Sequence, residues 1–286
     1  MPCSEHYPAK LSVFGFQRFM PVCAVWLAAV ALLWSAVAAA QEDFPLRAQY
    51  EAQGVYAIST QDLAERFDDY VIVDARARYE FETLRIDGAH SLPFSDRNFN
   101  HAVTELAEQT DGPMVFYCNG VECAVSYRAA QRAHERGLTD SLVYDAGIFA
   151  WAQAEPERTL LLNEPLNDPG KLIPDVDFQA HLLGEEAFYS RIEASEEPII
   201  LDVRTTNQRE GVSLFQMQDV HLPLQRSNAE ILEWVNRAID EQRALFVVDA
   251  TGRQVRWLQY LLEAQGVPEY WFLDGGAQVL FSEHGF

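Results

Sequence analysis

Four short motifs recur in the same order along this 286-residue chain, each displaced by 128 to 131 residues. Val71-Ile-Val-Asp74-Ala-Arg76 returns as Ile199-Ile-Leu-Asp202-Val-Arg204, and Leu92-Pro93 returns as Leu222-Pro223. Val115-Phe-Tyr-Cys118 returns as Phe246-Val-Val-Asp249, and Tyr144-Asp145-Ala-Gly147 as Leu273-Asp274-Gly-Gly276. Self-similarity at a nearly fixed period marks a duplicated structural unit, so any fold adopted by one copy must suit both. The first domain is expected over residues 54–153 and the second over 175–286. Between them, residues 154–174 carry Pro156, Pro165, Pro169 and Pro174 with little periodicity, and read as an interdomain linker.

Each copy alternates short apolar runs with segments of helical period. In the first, Ser59 or Thr60 caps a helix running to Phe67, and Tyr70–Asp74 is a strand. Met114–Tyr117 is a second strand. A helix over Ala124–Arg136 is closed by Gly137, and Leu142–Tyr144 is a third strand. Continuous apolar strands separated by helices predict an α/β fold in which a parallel sheet is covered on both faces. Ligand sites in such sheets lie beyond the carboxyl ends of the strands.

Cys118 stands at that edge, opening the turn Cys118-Asn119-Gly120-Val121-Glu122-Cys123 between a strand and a helix. Turn N–H groups and the positive helix end lower a thiol's pKa from about 8.5 towards neutrality. The other two cysteines, Cys3 and Cys23, fall in the first forty residues. That stretch reads as an export signal: Lys10 and Arg18 precede an apolar run over Pro21–Val37, and Ala38-Ala39-Ala40 offers a cleavage site before Gln41-Glu42-Asp43. Cleavage after Ala40 would leave Cys118 and Cys123 as the only thiols, in an oxidising compartment such as the periplasm and without stable membrane insertion. An uncleaved membrane anchor is the alternative reading of the same stretch. Two thiols in one short turn suit redox or sulfur chemistry better than a structural staple, since so small a loop constrains the unfolded chain modestly.

The net charge of −22 becomes −23 without the leader, which carries two basic residues and one acidic one. Such acidity argues against nucleic acid and anionic membrane surfaces as partners. No Cys/His cluster has metal-ligand spacing, and no cofactor is implied.

The residues resemble the rhodanese (sulfurtransferase) family in its tandem form. The resemblance rests on Asp74-Ala-Arg76 with Glu80, Asp87-Gly-Ala-His-Ser-Leu-Pro93, the Cys118 loop, and Asp145-Ala-Gly147 through Trp151. It implies two tandem rhodanese-like domains and a loop cysteine that takes a sulfane sulfur from a small donor. The resulting persulfide passes its sulfur to a thiol, cyanide or an acceptor protein. It further implies that the N–H groups from Asn119 to Cys123, through Gly120, Val121 and Glu122, cradle the anion.

Departures from the family pattern sharpen these expectations. The usual loop reads Cys-x-x-Gly-x-Arg-Ser/Thr, but here the sixth position is Cys123 and the seventh Ala124. The donor-holding arginine is missing, so thiosulfate is expected to be a poor donor; Arg76, Arg78 and Arg128 are the nearby replacements. Cys123 is a candidate resolving thiol, able to form an intraloop disulfide with Cys118. Asp74 and Arg76 are expected to be architectural, with Arg76 paired to Glu80; Arg76 is also a candidate substrate contact. Asp249 replaces the nucleophile in the second copy, which lacks cysteine altogether and is expected to be inactive. Rhodanese-like phosphatases require Cys-x5-Arg, and Ala124 stands where that arginine would be. Two other functions fit the same residues: a thiol–disulfide oxidoreductase cycling Cys118 and Cys123, and a non-catalytic binding module.

Overall fold

A computed structural model describes residues 44–209, 213–215, 218–225 and 228–284. The export signal read over residues 1–40 lies outside the described residues. Within them, no helix is long and apolar enough to cross a membrane.

The first half begins with helix α1 (Arg47–Glu51), then α2 (Thr60–Glu65), strand β1 (Val71–Asp74), α3 (Arg78–Thr83), β2 (Leu84–Ile86) and β3 (His90–Ser91). It continues through α4 (Phe99–Gln109), β4 (Met114–Tyr117), α5 (Ala124–His134), β5 (Leu142–Tyr144) and α6 (Gly147–Ala154). Ser59 caps α2 as expected, its hydroxyl accepting from Asp62 N–H. The strands form a parallel sheet in the order β3-β1-β4-β5, and Ala57 adds a parallel bridge to Val143 beyond β5.

Residues 154–174 are more than a spacer. Strands β6 (Thr159–Leu161) and β7 (Glu164–Pro165) form a hairpin that pairs antiparallel with β2. Its turn is Leu162-Asn163, both at positive φ, the conformation a two-residue hairpin requires. Leu166 and Thr159 are fully buried behind it. No glycine marks this turn, which is why the composition reads as linker.

The second half runs α7 (Asp175–Gln179), β8 (Leu182–Leu183), α8 (Glu185–Ala194), β9 (Ile199–Asp202), α9 (Thr206–Arg209) and β10 (Val220–His221). After these come α10 (Asn228–Asp240), β11 (Leu245–Val248), α11 (Val255–Gln265), β12 (Tyr270–Leu273) and α12 (Ala277–His284). Its parallel sheet has the order β10-β9-β11-β12-β8, whose first four strands repeat the first sheet and whose β8 stands where the first half has the Ala57–Val143 bridge. Register makes the equivalence residue-exact: Asp74 lies beside Tyr117, and Asp202 beside Val248. The next residues, Cys118 and Asp249, therefore occupy the same place in the two halves.

Strands β1, β4, β9 and β11 are buried along their whole length, as a sheet covered on both faces demands. Val71, Val73 and Phe116 face α4 and α5, packing with Val103, Tyr127 and Ala130. Their neighbours Ile72, Val115 and Tyr117 point the other way, into a core that also holds Leu201 and Val247 of the second sheet. The two halves thus share one continuous apolar layer, crossed by the stacked rings of Phe149 and Trp257 with centroids 5.4 Å apart. Phe188, Ile200, Phe246 and Leu280 fill the far face of the second sheet. Tyr144 and Trp151 are fully buried, in keeping with packing roles.

Candidate active site

Cys118 follows β4 directly and Cys123 is the residue before α5, so the loop spans the carboxyl edge of the sheet and the positive end of a helix. The two are joined by a disulfide with Cα atoms 6.2 Å apart, within the separation such a bond needs. A turn bond from Cys123 N–H to Gly120 O, 2.9 Å, curls the loop enough to bring them together. Cys118 is 3 % exposed and sits at the base of a cavity of about 510 Å³. Arg76, Glu80, Phe94, Asn119, Cys123 and Arg128 also contribute to its wall.

Gly147 presses the loop into shape from below. It has φ +77°, and a Cβ there would lie 2.6 Å from both Asn119 C and Gly120 Cα. Only glycine permits that approach. Ile148 N–H donates to Cys118 O at 3.0 Å, completing the clamp. Asp145 of the same motif anchors what precedes it: Arg47 grips both its oxygens, at 2.8 and 3.0 Å, and Tyr127 Oη donates to Oδ2 at 2.5 Å. Burial and the bond to Asp145 raise the Tyr127 hydroxyl above its ordinary value. Helix α1 is tied to the first half through this ion pair and through Tyr50, stacked on Tyr127 at 4.5 Å.

Arg76 pairs with Asp74 rather than with Glu80. Its Nε and Nη2 donate to the Asp74 carboxylate at 2.9 and 2.6 Å, Nη2 also reaches Leu84 O, and Nη1 reaches Asn119 Oδ1 at 3.2 Å. Burial opposes its charge, but the adjacent carboxylate outweighs burial and lifts Arg76 above its ordinary value. The expectation of an Arg76–Glu80 pair treats both as neighbours on one helix, whereas Arg76 precedes α3 and turns back to the strand end. Asp202 and Arg204 repeat the arrangement in the second half, both buried. With four of its five N–H donors so engaged, Arg76 borders the cavity and braces the loop through Asn119.

Asn119 links these parts and carries no conspicuous sequence signal. Its Oδ1 accepts from Arg76, and its Nδ2 donates to Glu80 Oε1 at 2.9 Å, while Glu80 Oε2 accepts from Ala77 N–H. The one available clue is its position, immediately after the cysteine and near the Arg76 and Glu80 motif. His90 and His101 are both exposed, and neither lines the cavity.

In the second half the same loop holds an anion of its own. Asp249 is 1 % exposed and accepts from the N–H groups of Thr251, Gly252, Gln254 and Val255, at 3.1, 2.5, 2.6 and 3.1 Å. Burial pushes its carboxyl above the ordinary range, and the four N–H donors pull it part of the way back. Gly276 backs this loop as Gly147 backs the other, with φ +59° and room for no Cβ beside Asp249 Oδ1 and Gly252 N. In the Cys118 loop, the N–H groups of Gly120, Val121 and Glu122 have no hydrogen-bond partner among the described residues. Asp249→Ala should destabilise the protein by about 2 kcal/mol, because it leaves the buried Gly252 and Val255 N–H groups without their acceptor. Thermal or denaturant unfolding measures this, and an unchanged midpoint would contradict it.

Residues 59–154 match the family model described as the Rhodanese-like domain. This part of the chain is a rhodanese-like domain. The second half repeats its sheet order and its strand-end Asp–Arg pair. A thiosulfate sulfurtransferase from Pseudomonas aeruginosa aligns at 22% identity and TM-score 0.39, covering 81% of this chain and 43% of that one. The chain thus spans less than half the length of that enzyme. A 3-mercaptopyruvate sulfotransferase from Escherichia coli aligns at 17% identity and TM-score 0.32, covering 78% of this chain and 98% of that one. The BH2092 protein from Bacillus halodurans aligns at 19% identity and TM-score 0.34, over 46% of this chain and 93% of its own. No curated protein matches the chain.

Proposed function

We propose that the chain is an exported sulfurtransferase in which Cys118 carries a sulfane sulfur as a persulfide. The observation that carries this reading is the paired loop: where the second copy holds the Asp249 carboxylate with four N–H donors, the first presents a cysteine at the equivalent position. A cradle that accepts a carboxylate is suited to a thiolate or persulfide anion. The reaction is ping-pong: Cys118 takes sulfur from a small donor and delivers it to a thiol, cyanide or a protein acceptor. A carboxylate cannot carry a sulfane sulfur, so the second domain is inactive and serves as a packing partner for the first. The basic and apolar leader over residues 10–40 supports export to the periplasm.

The Cys118–Cys123 disulfide favours a second reading, a thiol–disulfide oxidoreductase. Intact mass separates the two. Protein that is reduced, desalted and treated with a sulfur donor should gain about 32 Da on Cys118 under the sulfurtransferase reading. A reversible change of about 2 Da on reduction, with no sulfur adduct from any donor, would instead establish disulfide cycling.

A further inference from the structure

The rhodanese loop of this chain lacks its arginine, yet a basic side chain still reaches the cavity. Arg76 is committed to Asp74, Leu84 and Asn119. Arg78 is 77 % exposed and paired with Glu82 at 2.8 Å, and it does not contribute to the cavity wall. Arg128, one turn into α5, lines the cavity together with Cys118 and Cys123. Its guanidinium lies over the Phe94 ring, 4.9 Å from the centroid, and has no carboxylate partner among the described residues. Phe94 is itself held by an edge contact with Phe99 at 5.3 Å and by its N–H bond to Ala75 O. Stacking orients a guanidinium while leaving its N–H edge available to an anion.

The charges on the wall limit what that anion can be. Asp74 and Arg76 neutralise each other, and Glu80 contributes a carboxylate whose oxygens are bonded to Ala77 N–H and Asn119 Nδ2. Among the described residues Arg128 is thus the one unpaired cation of the wall and can pair one negative charge, while the Glu80 carboxylate repels a dianion about twice as strongly as a monoanion. Ala75, Ala77, Phe94 and Val125 supply apolar wall beside them. We propose that Arg128 is the specificity-determining residue of the site, selecting a monoanionic organic sulfur donor, such as a thiosulfonate, over the thiosulfate dianion. The proposal rests on the sulfur-transfer reading for its donor but not for its anion contact.

The transfer step balances without a further reactant. The Cys118 thiolate attacks the terminal sulfur of R–SO2–S⁻, the Sγ–S bond forms, and the bond from that sulfur to the sulfonyl group breaks. The electron pair leaves with the sulfinate R–SO2⁻, whose charge falls to Arg128, and Cys118 retains the persulfide anion. Two negative charges enter and two remain.

Two measurements on reduced, desalted full-length protein test the proposal, using wild type, Arg128→Gln and Arg128→Lys. The first is the ratio of Cys118 alkylation rates by iodoacetate and iodoacetamide, with the site assigned by peptide mass. The ratio should fall about threefold or more in Arg128→Gln and recover in Arg128→Lys, as expected for one partly exposed charge. The second is steady-state transfer to cyanide from benzenethiosulfonate and from thiosulfate. KM for benzenethiosulfonate should rise roughly five- to tenfold in Arg128→Gln, with a smaller change in kcat. An alkylation ratio unchanged in Arg128→Gln overturns the assignment of Arg128. A ratio that falls while neither donor loads Cys118 upholds the anion contact and rejects sulfur transfer. Wild-type preference for thiosulfate over benzenethiosulfonate overturns the donor class.

Discussion

Cys118→Ser should abolish both the one-sulfur adduct and sulfur transfer, by at least about a thousandfold, while Cys123→Ser retains both. The asymmetry follows from where the two residues sit. Cys118 ends a buried central strand at the floor of the cavity, and the loop curls its backbone around that point. Cys123 is the residue before α5 and reaches Cys118 from the side through the turn bond to Gly120 O. A serine at position 118 keeps the shape but offers an oxygen that neither ionises near neutral pH nor carries a sulfane sulfur. At position 123, serine removes the disulfide and leaves the nucleophile intact. The adduct should also last longer in Cys123→Ser than in wild type. In wild type, the Cys123 thiolate can attack Sγ of the protonated Cys118 persulfide, forming the disulfide and expelling hydrosulfide, which keeps that proton, as the Sγ–S bond breaks. Adduct lifetimes followed by mass spectrometry after donor removal give the comparison. Unchanged transfer in Cys118→Ser would reject the persulfide assignment, and equal lifetimes in wild type and Cys123→Ser would remove Cys123 from the reaction.

Much of this arrangement is legible in the chain because parallel strands announce themselves as continuous apolar runs. Met114–Tyr117 and Leu142–Tyr144 match the read boundaries residue for residue, and the motif offsets place Asp249 opposite Cys118. What the chain hides is long-range and polar. Arg47 and Asp145 are 98 residues apart, and nothing in either neighbourhood foretells their bidentate pairing. The hairpin over Thr159–Pro165 turns on Leu162-Asn163; positive φ suits Asn163, but at Leu162 it runs against local preference and accompanies the pairing with β2. Arg76 satisfies its charge at the strand end, two residues back, because burial leaves a strand-end carboxylate as its strongest partner. Arg128 lies where helical spacing from the loop can place it, but its stacking on Phe94 at the cavity wall is not visible in the chain.

Gly147→Ala should cost about 3 kcal/mol and slow Cys118 alkylation, whereas Gly137→Ala should cost about 1 kcal/mol and leave the thiol unaffected. Both glycines have positive φ, +77° and +91°, so both substitutions incur the strain of a left-handed conformation. They differ in surroundings. No atom lies within 4 Å of the Cβ position at Gly137, which closes α5 in open space. At Gly147 the added carbon meets the backbone of Asn119 and Gly120, and backbone cannot rotate away as a flexible side chain can. The loop must shift, and with it the carbonyl of Cys118 that Ile148 N–H holds. Subtracting the Gly137 result from the Gly147 result thus isolates the contact between this glycine and the cysteine loop. Equal losses of stability, with equal alkylation rates, would show that the Asp145-Ala-Gly147 motif serves backbone conformation alone and does not shape the loop. A Gly147 loss that exceeds the Gly137 loss by about 2 kcal/mol, together with slower alkylation, assigns the loop's curvature to this packing. Gly276 faces the Asp249 loop in the same way, so Gly276→Ala should reproduce the stability loss without changing Cys118 reactivity.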